Sequence, residues 1–228
     1  MPDTSPLRPN LQKGALAVYP THTPGSQPSS VIVFQFNPEA MKRTLAHRAA
    51  PAPAAGNTGA AKEDVLRVAG PPLETINLTV DMHAADQLAE PDQNAPVAED
   101  GLHPALATLE LLMYPPTLNV LAIEQKAAAG QVQVSPADLP LVLLIWGKSR
   151  VVPVKLTSFA VSEEAFDRHL NPIAAKVELG MQVLTYMEFN DSSIGRDAFI
   201  AYQKSKEQLA ARSRPGNDLT GIRNLLPH

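Results

Sequence analysis

Residues 139–185 constrain the fold more than any other stretch of the chain. Leu139 to Trp146 (LPLVLLIW) is apolar almost without a break, so a strand here needs cover on both faces, from its own fold or from neighbouring subunits. Gly147 follows, within Trp146-Gly147-Lys148-Ser149, where the chain has to reverse. Arg150 to Val161 returns as a second strand, with Val152, Val154 and Leu156 on one face and Lys155 and Thr157 on the other. Asp167, Asn171 and Pro172 supply the next turn. From Ala175 the alternation is strict: Ala175, Val177, Leu179, Met181 and Val183 point one way, and Lys176, Glu178, Gly180 and Gln182 the other. The segment predicts an antiparallel β unit with one core face and one wet face.

The chain of 228 residues is long enough to bury a core, and suits one domain with long insertions or one domain with a small appendage. A formal net charge of -4 gives no electrostatic case for nucleic acid or an anionic membrane as partner. The charge is unevenly placed, however. Residues 81–100 hold six acidic side chains (Asp81, Asp86, Glu90, Asp92, Glu99, Asp100) and no Lys or Arg, whereas residues 195–228 carry six basic and three acidic ones. The absence of cysteine excludes disulfides, thiolate metal ligands and cysteine nucleophiles, and fits a reducing compartment. The N-terminus lacks the apolar core of a secretory signal, and no apolar run reaches the ~18 residues that cross a bilayer. These features point to assembly in the cytoplasm without direct membrane insertion.

Elsewhere the pattern is mainly β. Gly14 to Tyr19 and Val31 to Phe36 are strand candidates, the latter closed by Asn37-Pro38. Met41 to Arg48 continues as an extended segment, and residues 49–63 form a low-complexity loop with little to bury. In Glu74 to Met82, Ile76, Leu78, Val80 and Met82 alternate with Thr75, Asn77, Thr79 and Asp81. An acidic loop over 83–101 leads to a helix entered at Pro104, with Leu102, Ala105, Leu106, Leu109, Leu112 and Met113 on one stripe. Pro115-Pro116 ends it, and residues 124–138 form another mobile loop. Ile194, Ala198, Tyr202, Ser205 and Leu209 mark a weakly amphipathic C-terminal helix before a basic tail. No fixed-period repeat is present. Six or seven strands with one internal helix and a C-terminal helix predict a mainly β (β+α) chain, an antiparallel barrel or sandwich with the helix over one opening. Its β domain spans 1–190, and 191–228 form the helix and tail.

Chemical motifs are conspicuous by their failures. Gly147-Lys148-Ser149 resembles the end of a phosphate-binding loop, but the required earlier glycine is Val142, and β-branched residues and proline follow instead of a helix. There is no Gly-x-Ser-x-Gly elbow and no His-Glu-x-x-His pair. His83 and His103 flank the acidic loop and could meet Asp81 or Asp100, yet lone histidines in polar loops are ordinarily solvated. Asp92 and Glu99 lie in a loop with nothing to fix them at catalytic precision, and Glu163-Glu164 reads as a solvated strand end. Two glycosylation sequons, at Asn77 and Asn190, carry no weight without a secretory route. The few aromatics form no base-stacking platform. The residues therefore name no catalytic set, metal or cofactor, and the pattern suits a non-enzymatic binding or structural part.

Four elements occur together in order: Phe34-Gln35-Phe36-Asn37-Pro38; Leu73-Glu74-Thr75-Ile76 leading into the alternating strand and the acidic segment; the helix with Leu109-Glu110-Leu111-Leu112; and the Trp146-Gly147 hairpin followed by Phe166-Asp167 and Asn171-Pro172. Over residues 30–190 this order resembles the contractile injection system tube-protein family, the N-terminal domain of the tube-spike adaptor of phage-tail-like particles. The resemblance implies a tube-like β fold whose copies close into a ring, by expectation a hexamer, joining the inner tube protein to the spike at the baseplate. It also implies assembly in the cytoplasm into a particle that is either kept or released. Such adaptors commonly carry a C-terminal LysM module; residues 191–228 are too short for one, which leaves another axial role in the same machine open, as tube initiator or end-cap adaptor. A soluble β-sandwich that binds a glycan or peptide is the reading from a different class.

A closed ring needs a head-to-tail contact between different edges of neighbouring subunits. On this reading the hairpin residues Leu143, Ile145, Trp146 and Gly147 and the strand from Ala175 build the ring wall, with Lys176, Glu178 and Gln182 on its polar side. The neighbours would then complete the cover that the 139–146 run demands.

Overall fold

The computed structural model describes residues 12–48, 68–130 and 139–213. The loop expected at 49–63, residues 131–138 and the basic tail from 214 lie outside them. The β+α class holds: seven strands form one antiparallel sheet, with helices before and after its central hairpins. The strands are β1 (Ala15–Tyr19), β2 (Ser30–Val33), β3 (Met41–Ala46), β4 (Leu73–His83), β5 (Leu141–Ile145), β6 (Val151–Phe166) and β7 (Pro172–Val183). Their order across the sheet is β2-β1-β5-β6-β7-β4-β3.

Register explains why these strands share one core. Pairings Leu16↔Leu144, Leu144↔Val152, Leu156↔Met181, Met181↔Ile76 and Ile76↔Arg43 carry a single inner face from β1 to β3. Leu16, Ile76, Leu144, Val152, Val177 and Met181 on that face are fully buried. A bulge between Leu156 and Ser158 resets the alternation of β6, so that Phe159 and Val161, rather than Ser158 and Ala160, continue the inner face. Period-two reading from Val152 misses this one-residue shift.

The sheet curls. In a flat sheet β6 and β3 would lie ~14 Å apart at the usual strand spacing, yet Arg150, one residue before β6, brings Nη1 to 3.2 Å from Met41 Sδ at the start of β3. Ile32 and Met41, on strands at opposite ends of the order, pack against the same core. The result is an open barrel built from one sheet, not two sheets face to face. Among the described residues no ladder joins β2 to β3, so both are edges.

The helical content exceeds the single internal helix expected. The 83–101 segment is not a loop but α1 (Ala85–Leu88), a 3-10 turn (Pro91–Gln93) and α2 (Ala95–Asp100). Alanine favours helix, and Pro96 sits in the first turn of α2, where a missing N–H costs nothing. Next, α3 (His103–Glu110) buries Leu106 and Leu109, and its 3-10 extension Leu111–Met113 buries Leu112, as the stripe predicts. Residues 124–128, expected to begin a polar loop, instead end α4 (Thr117–Ala128), which starts after Pro116 and closes at Gly130 with φ +77°. No residue of α4 is buried, and its apolar Leu118 and Leu121 stay exposed. The strand expected over Val31 to Phe36 stops at Val33; Val31 and Val33 are about half exposed on the edge, whereas Ile32 packs against the core and Phe34 is buried in it.

The C-terminal helix α5 (Ile194–Arg212) is capped by the Ser193 hydroxyl, which accepts from the Gly195 N–H. Its buried line is Gly195, Phe199 and Tyr202, whereas Leu209 of the expected stripe is half exposed. Gly195 is required because the Phe189 ring lies where a Cβ would stand.

Candidate assembly face and the clasp behind it

Strands β6, β7, β4 and β3 turn a continuous polar surface outward. The register places Lys155 beside Gln182 beside Thr75, Ser158 beside Gly180 beside Asn77, and Ser162 beside Lys176 beside Asp81. Lys176 Nζ lies 3.8 Å from Asp81 Oδ1, with both side chains about half exposed, so the pair adds little stability and leaves its charges available. Gly180 sits flat between its neighbours: a Cβ there would stand 2.1 Å from Ser158 Oγ. The absent side chain leaves an open depression of about 400 Å³ lined by Lys42, Asn77, Ser158 and Glu178, among others.

Both margins of this four-stranded unit are open among the described residues. Strand β5 pairs with β6 only as far as Val154, so the backbone of β6 from Lys155 onward has no partner on that side. At the other margin, β3 pairs with β4 and nothing else. The bulges of β6 and the charges at Lys155, Glu163 and Glu164 guard its edge against indiscriminate pairing.

The residues expected at the subunit interface separate into two groups. Lys176, Glu178 and Gln182 do share the polar outer face of β7, the first two exposed and Gln182 partly so. Leu143 does not wait for a neighbour. It is 5% exposed and clusters with Ala17 and Leu141 against Phe189, Ile194 and Ala198, so the chain's own C-terminal segment covers it. Ile145 packs at the margin of the same cluster, and Trp146 turns toward Phe34, ring centroids 6.4 Å apart, over Gly14. Gly147 makes the hairpin turn with φ +71°. Within the 139–146 run, Leu141 and Leu143 thus get their cover from the chain itself, from Phe189 and from Ile194 and Ala198 of α5, and do not need a ring neighbour for it. Leu143→Ala should accordingly lower the unfolding free energy of the isolated subunit by about 2 kcal/mol in urea denaturation; an unchanged midpoint would return Leu143 to the interface.

The polar cluster that sequence reading missed is centred on Glu74. This carboxylate lies in phase with Ile76, Leu78 and Val80, on the core face, and is only 3% exposed. Arg43 Nε donates to Oε1 at 2.7 Å, the Tyr202 hydroxyl donates to the same oxygen at 3.1 Å, and Lys206 Nζ donates to Oε2 at 3.0 Å. The Lys206 ammonium also stands 3.9 Å over the Tyr202 ring. Burial opposes ionisation of Glu74, but the hydrogen bonds and charges of Arg43 and Lys206 outweigh it and hold its carboxyl below the usual range. The cluster fastens α5 to the β3–β4 hairpin. A charged residue on an otherwise apolar phase was the one available signal; its partners, as many as 132 residues away, carried none.

Two further polar clusters fix loops. Glu188 pairs with Arg48 and accepts from both the N–H and the hydroxyl of Thr185, at 2.6 Å each. At the β6–β7 turn, Asp167 Oδ1 accepts from the backbone N–H groups of Asn171 and His169 at 2.9 and 2.7 Å. The Asn171 N–H is the main cause of an Asp167 pKa below the usual range. Asn171 Nδ2 in turn donates to the Glu99 carbonyl, tying the hairpin tip to α2. Among the described residues no group of three or more His, Asp or Glu side chains converges as a metal site would require. Among the described residues no single helix is long and apolar enough to cross a membrane. No protein-family model matches the chain, and no curated protein matches it.

Proposed function

We propose that this protein is a structural, non-enzymatic adaptor of a contractile injection system, forming a six-membered ring that joins the inner tube protein to the spike at the baseplate. The observation that carries the reading is the β6–β7–β4–β3 unit, which has a core on one face, a polar surface on the other, and an unpaired strand edge at each margin among the described residues. A sheet open at two different edges can be continued head to tail by further copies, and closure around a ring removes the edges that would otherwise invite aggregation. The outward polar residues, Lys176, Glu178 and Gln182 among them, then line the wet wall of the ring. The order of sequence elements from Phe34 to Pro172 supplies the choice of machine. The fold alone does not, since one architecture serves many functions.

Deleting the gene and imaging the particles tests the assignment. Tubes lacking spikes, or no assembled tubes, are expected; particles with normal spikes refute it. Native mass measurement of the purified protein tests the ring separately. A strictly monomeric protein that also fails to enter particles would sink the ring.

A further inference from the structure

We propose that the cavity between the β3–β4 hairpin and α5 binds an apolar carboxylate, an organic acid with a hydrocarbon or aromatic body. This inference does not rest on the ring assignment. The cavity measures about 560 Å³, inside the roughly 300–1,000 Å³ range of small-molecule sites. Its walls are apolar, formed by Leu45, Val68, Pro71, Pro72, Tyr186 and Phe199. Its polar lining is Gln203 and the clasp, to which Glu74, Tyr202 and Lys206 all contribute.

Charge selects the ligand. Glu74 is a single carboxylate shared by two cations, Arg43 on one oxygen and Lys206 on the other, so the site holds one positive charge in excess among the described residues. The nearby Arg48 does not alter this balance, because Glu188 neutralises it. Arg43 is committed to Glu74 and to the Tyr202 hydroxyl. Lys206 differs: of its ammonium's three N–H donors one is spent on Glu74, one side rests on the Tyr202 ring, and the remainder is open on a side chain 41% exposed. An anion entering the cavity finds a cation with an open donor at one end and mainly apolar walls around the remainder. A neutral apolar ligand leaves the excess charge uncompensated, and a cationic one is repelled. A phosphate would find apolar walls where its other oxygens need donors.

A free organic acid and the C-terminus of a partner polypeptide ending in an apolar residue offer the same chemistry, so the experiment separates them. The full chain is titrated by calorimetry with decanoate, with 1-decanol, and with a short leucine-terminated peptide carrying either a free or an amidated C-terminus. Saturable binding of decanoate or of the free-acid peptide, at least about tenfold tighter than the uncharged counterpart, is expected for one partly buried ion pair. Whichever of the two binds identifies the source. Lys206→Gln keeps a donor for Glu74 but removes the excess charge, and should weaken binding about tenfold. Leu45→Glu, at a half-exposed wall position opposite Glu74 in the β3–β4 ladder, should do the same by setting a second carboxylate beside the clasp. The proposal is overturned if neither acid binds saturably, if decanol binds as well as decanoate, or if both variants fold and bind as the wild type does.

Discussion

Gly101→Ala is expected to lower the unfolding free energy by about 4 kcal/mol, read as a shift in the urea midpoint. Gly101 closes α2 with φ +60° and ψ -133°, a backbone conformation that only glycine adopts without strain. The space is closed as well: a Cβ would stand 2.5 Å from the Pro172 carbonyl oxygen and 3.0 Å from Asn171 Cβ. A backbone oxygen cannot rotate away, and this one already accepts the Leu102 N–H at 2.8 Å. Accommodating a methyl group therefore separates α2 and α3 from the start of β7 and breaks that bond. Gly147→Ala is the internal control. Its φ is also positive, but the nearest atom to a Cβ is a flexible glutamine oxygen at 3.9 Å, so only the backbone cost of about 1–2 kcal/mol remains. Equal losses in the two variants would show that the packing against Pro172 contributes nothing.

Glu74→Ala is expected to cost about 3 kcal/mol, near the lower end for breaking a buried ion pair because Arg43 and Lys206 still reach water. Removing the carboxylate strands two cations and the Tyr202 hydroxyl at the joint between α5 and the sheet. Hydrogen exchange should then report faster opening of α5 while the β6–β7 amides keep their protection. The pH dependence follows from the direction of the shift. Glu74 has a folded-state pKa below its ordinary value of 4.5, so its contribution is complete above that value and is lost as pH falls through the folded-state pKa. Glu188, lowered despite its own burial by hydrogen bonds from Thr185 and Arg48, acts in the same sense. The melting temperature of the wild type should fall through the acidic range, and Glu74→Ala should flatten part of that slope. Parallel profiles for the two proteins would remove Glu74 from the acid transition.

The β architecture was legible because alternation is a local signal. Glu74 to Met82 and Ala175 to Val183 show their phase within a dozen residues, and the structure pairs them in that phase, Ile76 with Met181 and Val80 with Val177. The Asp167–Asn171 turn was legible for the same reason, since its acceptor and donors lie within five residues. What failed were segments whose signal is weak or cancelled. Helix α4 buries no residue, so tertiary packing does not single out its face, and its second half, from Glu124, is polar or alanine. The short helices of 83–100 were masked by their acidic composition, and the bulge in β6 falls between Leu156 and Ser158, where the apolar phase passes to Phe159 and Val161.

The sequence by itself determined which residues face inward along each long strand, where the hairpins turn, and that the Leu139–Trp146 run needs cover on both faces. These are consequences of backbone periodicity and of transfer from water, and both act on neighbouring residues. Only the tertiary structure decided what supplies the cover. Phe189, Ile194 and Ala198 pack against the cluster of Ala17, Leu141 and Leu143 from beyond the end of β7, and Tyr202 and Lys206 reach Glu74 across more than 120 residues. The curl of one sheet and the path of one helix bring these groups together, and no pattern in the chain encodes distances of that kind.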